Sequence, residues 1–150
     1  MVCILSKLFR IADYIVYKCT VENNWGITSL KLQKLLYFVQ AYYINKKGKT
    51  LFDDDFEAWV HGPVNVYVYK NYVIKPSNLT MEQICKDMDV YESNIIDEAL
   101  AVFGELTGGL LVSLSHNEKP WIEAREGLKS WERSQNKITR ERMLDYYKHN

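Results

Sequence analysis

The sequence predicts a mostly α-helical single domain, built on one long central helix with a small β-hairpin beside it. Three observations carry this expectation. Apolar residues recur at three- and four-residue steps through the first two segments, as in helices that bury one stripe. Residues 56–60 alternate instead, with Phe56, Ala58 and Val60 set against Glu57, Trp59 and His61, as in a short half-exposed strand. Most of the seven glycines stand where an element should end, which is the punctuation a helical chain needs.

Taken in order, Ile4, Leu8, Ile11 and Ile15, flanked by Phe9, Ala12, Val16 and Cys19, define a first amphipathic helix. Residues 21–26 break it. Thr28 or Ser29 then caps a second helix over residues 28–47, with Leu32, Leu35, Leu36, Val39 and Tyr43 on one face and Lys31, Lys34 and Asn45 elsewhere. Gly48 is placed to end it. At about 1.5 Å per residue such a helix crosses most of a small domain, so it is the expected central strut. The strand at 56–60 follows, and Gly62-Pro63 stops it.

Residues 64–72 are conflicted: Pro63 suits the first turn of a helix, whereas the valines and tyrosines that follow favour a strand. Pro76, Ser77 and Asn78 mark a turn, with a second short strand, pairing with the first, expected on one side of it. A helix begins near Ser93, with Ile96, Ala99, Leu100, Phe103 and Leu106 on its apolar face. Gly108-Gly109 separates it from a helical run over 110–115. Pro120 opens a short helix that Gly127 closes. A polar connector over 129–137 leads to a last helix over 139–148, capped by Thr139, with Met143, Leu144 and Tyr147 apolar.

Composition narrows the function. The 150 residues suit one domain with a real core, and 47% hydrophobic with 25% charged residues is an ordinary globular balance. Lys plus Arg equals Asp plus Glu at 19 each, so no net field draws nucleic acid or anionic lipid, and neither is expected as the main partner. Cys3, Cys19 and Cys85 are too few and too scattered for a zinc site or a disulfide framework, and read as reduced thiols of a cytoplasmic protein. Lys7, Arg10 and Asp13 interrupt the opening apolar stretch, which therefore reads as a helix and not as a signal peptide.

Few residues suggest chemistry. His61 and His116 are the only histidines besides His149, and an imidazole titrates near neutrality. His61 has no ligand-type residue at metal-site spacing. Glu118, two residues after His116, could orient that ring on a turn. The pattern favours imidazoles that tie loops to backbone carbonyls over a catalytic or metal role. Asp53, Asp54 and Asp55 lack the alternate spacing and the turn glycine of a calcium loop, and read as a solvated turn. No nucleophile elbow, phosphate loop or dinucleotide fingerprint is present, so no metal, cofactor or catalytic residue is assigned. Eleven tyrosines and four tryptophans say more, because these side chains dominate binding hot spots. Trp59, Tyr42, Tyr43, Tyr67, Tyr69 and Tyr72 are candidates for one aromatic surface, against the alternative that each packs in the core.

Three segments found in this order, SLKLQKLLYFVQ at 29–40, EAWVHGPV at 57–64 and SLSHNEKPWIEA at 113–124, resemble the Panacea domain, the SocA-like or phage-associated GepA-type family. The likeness extends from IADYIVYK in the first helix to ITRERMLDYY in the last. Gln33, Lys34, Gly62, Pro63, His116, Pro120 and Trp121 match its motif positions, and are expected to hold the scaffold. Two departures stand out: Val66 where the family often has a second proline, and Ser115 where it commonly has threonine. The resemblance implies a helix over 64–72, resolving the conflict there. It also implies an antitoxin that binds a cognate toxin, with a protease as a further partner, since the SocA branch delivers its toxin to one. Two alternatives stay open: a phage or mobile-element protein that inhibits a host protein, and a hydrolase-type enzyme using His61 and His116. For the partner-binding surface the sequence nominates Trp59, His61, Tyr67, Tyr69 and Tyr72, with Asp53, Asp54, Asp55 and Lys70 as a charged rim.

Overall fold

The computed structural model describes residues 6–75, 80–85 and 88–150. Helix α1 (Ser6–Tyr17) runs on into a π-helical turn, Lys18–Glu22, so the predicted break falls at Asn23 to Gly26. Helix α2 (Ser29–Lys47) has both of the ends its sequence announces. The Thr28 hydroxyl accepts a hydrogen bond from the Lys31 N–H at 3.1 Å, and Gly48 closes the last turn at φ 70°.

The predicted facing of α2 does need correction. Lys31 and Lys34, placed off the apolar face, are both buried. Every residue from 31 to 41 is buried, because α1, α5, α6, α8 and the hairpin all pack around this one helix. It is a central strut with almost no solvent side. Two of its polar side chains survive burial by acting as surrogate strands. Gln40 accepts from the Leu51 N–H at 2.7 Å and donates to the Phe52 carbonyl at 2.7 Å. Gln33, seven residues earlier and so on the same face, does the same for Asn65, at 2.7 and 3.2 Å. Each amide supplies the donor and acceptor that a crossing loop would otherwise bury unsatisfied.

Strand β1 (Phe56–Trp59) forms as predicted, with Phe56 and Ala58 buried and Glu57 and Trp59 half-buried. Its partner is a correction. The Gly-Pro pair read as a stop is itself strand β2 (Gly62–Val64), paired antiparallel in the register Glu57↔Val64, Ala58↔Pro63, Trp59↔Gly62. Part of the turn at 76–78, where the second strand was expected, lies outside the described residues, and the residues before it, 72–75, are not strand. A third strand, β3 (Lys137–Ile138), comes from the polar connector and pairs with β1, giving the order β2-β1-β3. Pro63 is tolerated because β2 is an edge strand and needs no outward N–H there.

Helix α3 is Val66–Asn71, shorter than the predicted 64–72, with the Asn65 side chain accepting from the Val68 N–H at 2.9 Å. The later helices are α4 (Met81–Cys85), α5 (Val90–Phe103), α6 (Gly108–Ser115), α7 (Lys119–Ala124) and α8 (Arg140–Tyr147). Asp89, Thr107 and Thr139 cap α5, α6 and α8. The aspartate run is more than a solvated turn: Asp55 accepts from the Arg140 backbone N–H at 2.7 Å and Asp53 pairs with its guanidinium at 2.8 Å, placing two carboxylates at the start of α8. Among the described residues no helix is long and apolar enough to cross a membrane.

Candidate functional site

The hairpin is bolted to the rest of the chain through three successive carbonyls. Arg125 Nη1 donates to Ala58 at 2.9 Å, Trp121 Nε1 to Trp59 at 2.9 Å, and His116 Nε2 to Val60 at 3.0 Å. A carbonyl only accepts, so His116 carries its proton on Nε2. The His116 and Trp121 rings stack at 4.1 Å, and the Arg125 guanidinium lies 5.3 Å from the Trp121 ring centre. Two expectations are corrected here. His116 and Trp121 are half-buried, not fully buried, and they join α6 and α7 to the hairpin. Glu118 does not orient His116; it accepts from the Tyr147 hydroxyl at 3.1 Å, which in turn receives the Tyr37 hydroxyl proton across 2.8 Å. His116 does tie a loop carbonyl, as expected, whereas His61 is exposed and makes no hydrogen bond among the described residues.

The other side of the hairpin rests on α2. Lys34 is fully buried and its Nζ donates to the Pro63 carbonyl at 2.9 Å. Burial disfavours the ammonium and lowers its pKa to about 7. The His116 imidazole is also held below its ordinary value, by burial first and by the neighbouring His61, Lys34 and Arg125 charges, against the Val60 hydrogen bond. Gly62 makes the close approach possible. Its φ is +103°, and a Cβ there would stand 2.7 Å from both Lys34 Cε and Ser115 Oγ.

Above this support lies a cleft of about 720 Å³, between the start of α2, the hairpin, α3 and the connector before β3. Trp59, His61 and Tyr69 line it together, with Trp59 and Tyr69 meeting edge to face at 5.0 Å. The Trp59 N–H is held by Glu57 at 2.8 Å. The structure does not bring Tyr67 and Tyr72 to this cleft. Both turn toward α1, where Phe9 meets Tyr67 at 5.4 Å and Tyr72 at 5.3 Å, and the Tyr72 hydroxyl donates to Asp13 at 2.7 Å. Tyr67 lines a separate cleft of about 460 Å³ with Asp53 and Asp54, so the nominated rim divides as well. Tyr43 is buried and Tyr42 half-buried on α2.

Sequence reasoning missed three residues of this region. Arg125 is buried, and besides Ala58 its guanidinium reaches the Lys129 and Glu132 carbonyls at 3.1 and 2.6 Å, which shapes the connector. That connector delivers Trp131 and Arg133 to the cleft. Nothing in a polar stretch marks such residues; only the position of Arg125, one residue past the Pro-Trp segment, hinted at it. Among the described residues no three ligand-type side chains gather as a metal site, and neither histidine bonds to a carboxylate.

These features define a scaffold whose reinforced hairpin presents an open aromatic cleft. The chain belongs to the family described as antitoxin SocA-like, Panacea domain, whose model matches residues 32–122. All seven expected motif residues fall within that stretch; IADYIVYK, ITRERMLDYY and the connector that carries Trp131 lie outside it. The chain is 34% identical over 111 residues to the antitoxin SocA of Caulobacter vibrioides (strain NA1000 / CB15N), a match that covers 63% of this chain and 58% of that relative. No solved structure matches it significantly.

Proposed function

We propose that the chain is a cytoplasmic antitoxin that neutralises a cognate protein toxin by direct contact, without a cofactor and without chemistry of its own. The family match supports the antitoxin role, and the observation that favours contact over catalysis is how His116 is used. Its Nε2 proton is spent on the Val60 carbonyl and its ring is covered by Trp121, so it serves as a brace. His61 has no orienting carboxylate, which a general base would require. The contact surface we assign is the cleft with Trp59, His61 and Tyr69, where aromatic side chains with polar ends stand partly open on a rigid support.

Co-expression with the product of the adjacent small gene tests this. The toxin alone should stop growth and the chain should restore it. A folded variant with His61→Ala and His116→Gln should keep restoring growth, whereas loss of rescue with toxin binding intact would favour chemistry. Repeating the rescue in a host lacking its ATP-dependent proteases separates two routes: survival there assigns neutralisation to contact alone, and failure assigns the chain an adaptor role.

A further inference from the structure

The charge of the cleft is as distinctive as its aromatic lining. Its ionisable lining residues are Lys34, His61 and Arg133, and it has no Asp or Glu, although acids and bases balance at 19 each over the chain. Arg133 and His61 are exposed, and among the described residues neither makes an ion pair or a hydrogen bond. Below them Lys34 has a backbone carbonyl for its acceptor, and Arg125 behind the hairpin likewise contacts only carbonyls. Four basic groups thus converge on one hairpin with no carboxylate among their partners, so their fields add at the cleft mouth.

The apolar half is equally open. Trp131 is 69% exposed and Tyr69 58% exposed, and the contact to the Trp131 ring is the Lys129 ammonium at 5.3 Å. An exposed tryptophan costs solvation that a partner recovers by covering it. Phosphate backbones are held by many basic residues acting together, and this cleft offers two free ones on a chain with no net charge. A protein segment suits it better.

We infer that the cleft receives an acidic segment of a protein partner, seating one aromatic or apolar side chain among Trp59, Tyr69 and Trp131 while an Asp or Glu carboxylate meets Arg133 and His61. This rests on the protein-partner reading above and specifies the chemistry of the contact. Arg133 and Trp131 become determinants of partner choice, carried on a connector outside the family-matched stretch.

The test uses the full chain with its tryptophan indole nitrogens labelled, titrated at low salt with the peptide acetyl-Asp-Glu-Phe-Glu-amide and with its uncharged counterpart acetyl-Asn-Gln-Phe-Gln-amide. The acidic peptide should give saturating shifts of the Trp59 and Trp131 signals in about the millimolar range, and at least about tenfold weaker binding is expected for the uncharged peptide or for the surface variant Arg133→Glu. No saturating shift, or equal responses to both peptides, would overturn the inference. Stronger shifts with oligothymidylate or inorganic phosphate than with the peptide would overturn it too, and would give the cleft to phosphate. A parallel growth rescue separates this from the proposed function. Undiminished rescue and toxin affinity in Arg133→Glu remove the acidic contact and leave the antitoxin reading standing. A wild-type chain that binds the peptide yet never rescues growth removes the toxin and keeps the site.

Discussion

Gly62→Ala is the sharpest test of how the cleft is supported. The residue lies at φ +103°, where a Cβ costs about 1–2 kcal/mol whatever surrounds it. The added carbon would also stand 2.7 Å from Lys34 Cε and from Ser115 Oγ, well inside the roughly 3.5–4.0 Å of a favourable contact. Neither neighbour is free to withdraw. Lys34 is tethered through Nζ to Pro63, and the Ser115 hydroxyl donates to the Val112 carbonyl at 2.8 Å. Overpacking of this kind costs about 1–3 kcal/mol, so the sum is about 3–4 kcal/mol. Gly127→Ala is the control: its φ is +86° but nothing lies within 4 Å of the new carbon, so about 1 kcal/mol is expected. Urea unfolding followed by tryptophan fluorescence measures both, provided the slopes agree. In a Lys34→Ala background the cost of Gly62→Ala should fall by about 1 kcal/mol, since half of the obstruction is gone. Equal losses at the two glycines, or no coupling to Lys34, would refute the idea that the hairpin is pressed onto that lysine.

Gln33→Leu should destabilise the chain by about 2–4 kcal/mol, because it leaves the buried N–H and C=O of Asn65 without partners, and thermal unfolding reads the loss. Lys34 makes stability depend on pH: its pKa falls to about 7 on folding from an ordinary 10.5, so the unfolded chain binds more protons between those values and stability rises with pH across that window. The raised Tyr14, Tyr37, Tyr72 and Tyr147 hydroxyls act oppositely, but only above about pH 10, and the lowered His116 acts only below about 6.5. Unfolding measured from pH 7 to 9.5 should therefore show rising stability in the natural chain and a flatter profile in Lys34→Met. Tyr69→Ser should weaken toxin binding about tenfold, equivalent to roughly 1.4 kcal/mol, while Tyr67→Ser, on the α1 side of α3, leaves it unchanged; equal effects measured by calorimetry would sink the placement of the contact face.

Local chemistry explains what the sequence made legible. Thr28 and Gly48 bound α2 through bonds made within a few residues, and Phe56 and Ala58 turn inward because a strand alternates. Pairing is different, because it is set by residues far apart. Gly62-Pro63 reads as a break from its own neighbours, yet it lies opposite Ala58 and Trp59 and becomes an edge strand. Lys137 and Ile138 read as connector and loop, and become strand only because Phe56 and Glu57 are there to pair with. Lys34 was put off the buried face on polarity, and only the Pro63 carbonyl, 29 residues away, explains its burial. The candidate site divides the same way. Trp59 and His61 share a strand face and were legible together, whereas Tyr67 and Tyr69 point to opposite sides of a helix whose start at Val66 the sequence did not locate. Trp131 and Arg133 reach the cleft through Arg125 and its carbonyl contacts, a long-range arrangement with no local signature.

Neutralisation by contact, and not by chemistry, is most directly tested by titrating the purified toxin with purified chain while following the toxin's activity and its intact mass. Contact predicts inhibition that rises linearly to an end point at a fixed molar ratio, with the toxin's mass unchanged and its activity recovered when the complex is separated. Inactivation by a small fraction of an equivalent of chain, accompanied by a lasting change in the toxin's mass, would contradict it.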